Sequence, residues 1–282
     1  MIKYLISLVF AATSFTPLAH ASFQDPIEQL QENHVSVVQN EFSTLQKEFE
    51  KGEATEYDLL DAYKAFYQRD DIYRPELNNW IKSYPNSSSA YLARGVYYRK
   101  LGEFRRGTNY ISQVPSENIA YMEKMFMLAK QDLEMSLRLD PRSYLAALHL
   151  LNIAQFEGDD QAAEKYLALG NAAFPSNFIL RARYLIHLTP KWGGSYKDMK
   201  NFINKCQDQG LSQDKINMLK AIMSDDQGTL AEEHGNIGKA IEYFINALTL
   251  SQSASERFKR SYLGSSERIC YEPEYQRKYY CQ

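Results

Sequence analysis

Ala129-Lys130-Gln131-Asp132-Leu133-Glu134-Met135-Ser136-Leu137-Arg138-Leu139-Asp140-Pro141 has a counterpart 34 residues on, Ala163-Glu164-Lys165-Tyr166-Leu167-Ala168-Leu169-Gly170-Asn171-Ala172-Ala173-Phe174-Pro175. Each run reads small, bulky apolar, small, proline: Ala129, Leu133, Ser136 and Pro141, then Ala163, Leu167, Gly170 and Pro175. Spacings of four and three hold the first three residues on one helical face, and the proline stops the helix. A repeat of this length is one helix pair, which cannot bury its apolar face alone and must stack on neighbours. The expected fold is all-α: a right-handed superhelical array of antiparallel helix pairs from Asp25 to about Leu250, with a non-repeat tail.

Working outward, the period is that of tetratricopeptide-like pairs. Tyr91, Gly95 and Tyr98 fall where the first helix of a pair wants an aromatic, a glycine for close approach and another aromatic. Gly102 is then expected to end that helix. The next signature proline is late, so residues near 103–122 are expected to form an insertion between the two helices, which repeats accept in their loops. A regular pair spans Leu145 to Phe156 and Ala162 to Ala173. A further pair starts with Ile179 to Leu188 and is interrupted by Pro190-Lys191-Trp192-Gly193-Gly194-Ser195. Ala240, Phe244 and Ala247 repeat the pattern without its proline. Residues 22–85 read as N-terminal helices: Asp25-Pro26 is a helix start, Ile27 to Phe49 hold one apolar face, and Thr55 with Asp58 resembles a capping box. Residues 251–282 form a tyrosine-rich tail.

The chain opens with Lys3, a short apolar run from Leu5 to Ala12, Pro17 and Ala19-His20-Ala21, the layout of a signal peptide cleaved after Ala21. The run is too short to span a bilayer, and no later segment is long and apolar enough. The expected locale is periplasmic or secreted. A net charge of −3 argues against nucleic acid as a partner. Export also sets the cysteine expectation: Cys270 and Cys281 pair in the tail, and Cys206 stays a buried thiol beside Met199, Phe202 and Ile203. The rival pairing joins Cys206 to one tail cysteine.

Ala93-Arg94-Gly95, then Asp132-Leu133 through Leu139-Asp140-Pro141, then Leu188-Thr189-Pro190-Lys191-Trp192-Gly193-Gly194-Ser195 with Met199 and Phe202 together resemble the bacterial domain-of-unknown-function family numbered 4034. The resemblance covers about Glu41 to Gln207, and at its widest reaches Leu250. It implies a helical fold and no established activity.

By resemblance to tetratricopeptide grooves, Arg99, His149, Asn152, Gln155 and Arg183 would line a face that receives an extended protein or peptide segment. The competing reading is that Asn152 bridges neighbouring helices and Arg99 is solvated. The Trp192-Gly193-Gly194-Ser195 turn has two readings as well. Its amides could hold an anion at a helix start, or its glycines could serve the backbone while Trp192 fills a gap between pairs and Ser195 caps. The second is preferred, since the glycines lack the spacing of a phosphate loop. No histidine pair or cysteine spacing points to a metal, and no cofactor motif is present. Glu232-Glu233 and Asp225-Asp226 read as solvated faces. The first functional expectation is therefore a non-catalytic binding scaffold of the cell envelope. The alternatives are an envelope hydrolase with a site near Trp192, or a glycan-binding protein using tail tyrosines interleaved with cations such as Arg257 and Lys259. The tail is otherwise expected to pack back as a cap.

Overall fold

The computed structural model describes residues 25–107 and 111–269, and every regular element among them is helical. The expected leader at 1–21 and the Cys270–Cys281 pairing lie outside the described residues.

The N-terminal segment follows its local signals. Helix α1 (Pro26–Gln31) starts at Asp25, whose carboxylate accepts the Ile27 N–H at 2.9 Å. Asn33 then takes a left-handed conformation, φ 63°, so the apolar face expected to be continuous is split and α2 (Val35–Lys51) begins afresh. Gly52, φ 78°, ends α2 as expected of a glycine past a helix terminus. Thr55 and Asp58 close a reciprocal capping box at the start of α3 (Glu56–Tyr63): the Thr55 hydroxyl accepts the Asp58 N–H at 3.2 Å, and the Thr55 N–H donates to the Asp58 carboxylate at 2.8 Å. Helix α4 (Arg74–Ser83) buries Trp80 against Phe42 and Phe66, and the indole N–H donates to Gln39 at 2.8 Å.

Paired helices follow. α5 (Ser88–Arg106) packs along α6 (Ser116–Leu139), and α7 (Tyr144–Glu157) along α8 (Asp160–Ala173). α9 (Ile179–His187) is followed by α10 (Tyr196–Asp208), which also meets α11 (Gln213–Glu233); α11 pairs with α12 (Ile237–Leu250). The signature residues are the packing face: Ala129, Leu133 and Ser136 are buried on α6, and Ala163, Leu167 and Gly170 on α8. Small residues let the partner helix approach. A Cβ on Gly95 would lie 2.7 Å from the Leu133 Cγ, so α5 and α6 meet where only hydrogen fits.

The expected surface insertion takes another form. Gly102 lies inside α5, buried, with Phe126 of α6 so close that a Cβ would stand 3.0 Å from its ring. Most of the excess residues lengthen the two helices of this pair, α5 to Arg106 and α6 back to Ser116. Glycine ended the helix in the expectation because it is a poor helix former. Against Phe126 its missing side chain is worth more than its propensity costs, which is about 1 kcal/mol.

The described part of the tail does pack back. α13 (Glu256–Tyr262) and α14 (Gly264–Ile269) bury Phe258, Leu263 and Ser266. α14 sits on α11 and α12, where the Asp225 carboxylate accepts the Ser266 N–H at 2.7 Å. α13 reaches further. Phe258 meets Phe178 at the start of α9, and Arg257 lies over the Tyr57 ring of α3 at 4.2 Å while donating to Asp61 at 2.5 and 2.7 Å. One apolar core runs from Ile27 through to Leu263.

A buried cationic cluster as candidate functional site

The helices α5, α7 and α9, each the first of its pair, touch in sequence. On α5, Arg99 and Lys100 stand four and three residues before Glu103, within reach along one helix. The Arg99 Nη1 pairs with one oxygen of Glu103, and the Lys100 Nζ lies 2.5 Å from the other. The Lys100 ammonium also sits 4.4 Å from the centre of the Tyr67 ring, which follows the 3-10 turn at Lys64–Phe66. Tyr67 in turn meets the His149 imidazole of α7 edge to face, with ring centres 6.4 Å apart. Arg183 of α9 adds its charge on the more exposed side: it is felt by Tyr67, Lys100, Glu103 and His149 alike.

The electrostatics are lopsided. Three cations share a single carboxylate. Arg99 is 4% exposed and His149 1%. Neither His149 ring nitrogen has a hydrogen-bond partner, and neither has the Arg99 Nε. Burial, reinforced by Arg99, Lys100 and Arg183, holds His149 well below the ordinary imidazole value, so it is neutral in the folded chain. Burial and then Arg99 bring Lys100 down to about 8. Burial pushes Glu103 up, but Arg99 and Lys100 outweigh it and hold the carboxyl below its usual range. Buried polar groups are normally paired. Here the Arg99 Nε and both nitrogens of the neutral His149 ring break that rule.

Of the five residues expected to line a binding face, Arg99, His149 and Arg183 come together here. Asn152 does not present its amide: it is buried, and its Nδ2 donates to the Leu148 carbonyl of its own helix at 2.8 Å. Gln155 bridges α7 and α9 by donating to the Arg183 carbonyl at 3.3 Å. Arg99 is not solvated, as the competing reading had it. Lys100, Glu103 and Tyr67 were not read from the sequence. The Arg99-Lys100…Glu103 spacing was the available signal for two of them, while Tyr67 arrives through the chain path alone.

The Trp192 turn resolves in favour of the backbone. Gly193 takes φ 91°, and a Cβ on Gly194 would lie 2.2 Å from the Leu188 carbonyl oxygen. Ser195 caps α10, its hydroxyl accepting the Asp198 N–H at 3.2 Å. The amides that could have held an anion are used internally: Gly193 donates to Pro190 and Gly194 to Thr189. Trp192, however, fills no gap. It is 56% exposed, at the end of the 3-10 turn at Pro190–Trp192. Of the paired carboxylates, Glu233 is exposed as expected, but Asp225-Asp226 is not a solvated face. Asp225 receives the tail at Ser266, and Asp226 accepts the Tyr196 hydroxyl at 2.8 Å. Cys206 is a free, buried thiol on α10. Among the described residues no group of histidine, cysteine and carboxylate side chains is placed to hold a metal, and no helix is long and apolar enough to cross a membrane.

Among the described residues the protein is thus all-helical, built of packed helix pairs with a polar cluster between the first helices. Residues 150–225 match a family model described as a domain of unknown function (DUF4034). That match is narrower than the resemblance read from Glu41 to Gln207 or, at its widest, Leu250, and it ends within α11. It holds Asn152, Gln155, Arg183 and the Trp192 turn, whereas His149 stands just before it and Arg99, Lys100 and Glu103 lie well upstream. No curated protein and no solved structure matches the chain.

Proposed function

We propose that this protein is an exported, non-catalytic scaffold of the cell envelope that binds a segment of a partner protein on the face formed by α5, α7 and α9. The reading takes the pairs as tetratricopeptide-like and wound right-handed, so that first helices line the inner side of the array. One observation carries it: Arg99, His149 and Arg183 come from three successive first helices, and the Arg99 Nε and both His149 ring nitrogens are without protein partners. The leader-like sequence at 1–21 supports export. The self-satisfied amides of the Trp192 turn supply no oxyanion donors for a hydrolase there.

The test is affinity purification of the exported protein followed by mass spectrometry, run in parallel on the wild type and on Arg183→Ala. A partner enriched with the wild type and lost with Arg183→Ala, at unchanged thermal unfolding, supports the reading. Equal recovery with both places binding elsewhere and overturns it.

A further inference from the structure

We infer that the cluster of Arg99, Lys100, Arg183 and His149 is a receptor for a compact oxyanion of charge two minus, a phosphoryl or sulfuryl group. The inference rests on the reading of this face as the binding face and names the chemistry that the face selects.

Charge comes first. Arg99, Lys100 and Arg183 against Glu103 leave two positive charges over, one within the buried part of the cluster and one on the exposed Arg183 at its edge. Uncompensated charge in a buried setting is costly unless a counter-ion joins it. A dianion neutralises the excess at one point, whereas two separate carboxylates would have to be crowded together against their own repulsion.

Geometry narrows the class further. A planar carboxylate is best met by the parallel fork of an arginine. The Arg99 Nη1 is already engaged with Glu103, and its Nε is without a partner. The other donors come from different elements: the unpaired His149 imidazole of α7, the Lys100 ammonium above the Tyr67 ring, which also holds Glu103, and the exposed Arg183 of α9. Donors spread in three dimensions suit the corners of a tetrahedral group. His149, neutral and without any protein partner, can turn an N–H toward such an oxygen. Net charge elsewhere does not favour anions, since the chain as a whole carries −3, so attraction is confined to this site.

The groups facing Lys100 are Arg99, Glu103 and Phe104 of its own helix, Tyr67 beside it, His149 of α7 and Arg183 of α9. With its proton held only to about pH 8, Lys100 loses charge above that pH, and anion affinity should fall there.

Isothermal titration of the full-length exported protein with inorganic phosphate, sulfate and succinate tests the inference. Phosphate and sulfate should bind saturably, succinate at least about tenfold more weakly. Arg183→Ala and Lys100→Met should each lower phosphate affinity about tenfold or more, and binding should weaken above pH 8. Lys130→Ala, which removes a surface cation paired with Glu157, should leave it unchanged. The nitrogen resonances of the His149 ring should move on phosphate addition. No saturable phosphate or sulfate binding, succinate binding more tightly than either, or full affinity in Arg183→Ala would each overturn the inference. If phosphate does not bind while partner capture still depends on Arg183, the binding face stands and only its chemistry is wrong. If phosphate binds but capture ignores Arg183, the oxyanion site stands and the protein-binding role falls.

Discussion

Glu56→Ala strips the start of α9 of the carboxylate that caps it. Phe178, the residue at the cap position, has no side chain able to accept, and none caps the helix locally. Glu56 comes from α3 instead. Its oxygens accept the Phe178 N–H at 2.8 and 2.9 Å, the Ile179 N–H at 2.9 Å and the Tyr144 hydroxyl at 2.7 Å. The Tyr144 oxygen then accepts the Leu180 N–H at 3.1 Å. Truncation leaves two buried amides and a buried phenol without their acceptor, each costing roughly 1–3 kcal/mol. It also removes a negative charge from the positive end of a helix, worth about 0.3–1 kcal/mol or more. Relief of the carboxylate's own desolvation and partial entry of water offset part of this. The expected loss is about 3–5 kcal/mol, a large share of the roughly 5–15 kcal/mol by which a folded domain is stable. Glu56→Gln keeps one acceptor but turns an amide N–H₂ toward donors, and should lose about half as much. Urea unfolding measures both: the midpoint should fall at an unchanged slope. Hydrogen exchange at Phe178, Ile179 and Leu180 should accelerate beyond the global change. A loss below about 1 kcal/mol for Glu56→Ala would refute the assignment of this carboxylate as the cap of α9.

Other substitutions probe the remaining contacts. Gly95→Ala forces a methyl into the 2.7 Å space at Leu133 and should cost about 1–3 kcal/mol by overpacking, read by thermal unfolding; a neutral result would mean that α5 and α6 can part freely. Lys100→Met should stabilise the fold while weakening oxyanion binding. A lysine held at about 8 instead of 10.5 carries about 3 kcal/mol against its charged form. With lost packing and pairing allowed for, the gain near pH 7 should be about 1–3 kcal/mol. The sign follows from proton uptake: the unfolded lysine binds its proton more tightly, so wild-type stability rises between pH 8 and 10.5 and the advantage of Lys100→Met shrinks over that window. A destabilised Lys100→Met at pH 7 would refute this. Phe258→Ala empties a fully buried site between Phe178 and Tyr262 and should cost about 3–5 kcal/mol. Limited proteolysis should then cut first within α13; unchanged protection would show that the tail docks without it.

Helix pairing, caps and stops were legible along the chain because the interactions that set them are local. Ala129-Leu133-Ser136 and Ala163-Leu167-Gly170 place their side chains on one face by helix geometry alone, and all six are buried. Thr55 finds Asp58, and Ser195 finds the Asp198 amide, within a single turn. The candidate site was legible in part for the same reason. Arg99, His149 and Arg183 each sit in the first helix of a pair, so a repeat alignment brings them to a common face. The tertiary structure decided which neighbours they meet, because a partner's position depends on the whole path of the chain between them. Tyr67 reaches Lys100 and His149 only after the N-terminal helices have packed against α5, and Trp192 is left exposed by the course of its turn. Gly102 reads as a helix stop in sequence but is buried under Phe126 of α6. Glu56 is the furthest case. Its carboxylate caps a helix more than a hundred residues away, since α9 begins with Phe178 and Ile179, whose amides must find an acceptor wherever the fold provides one.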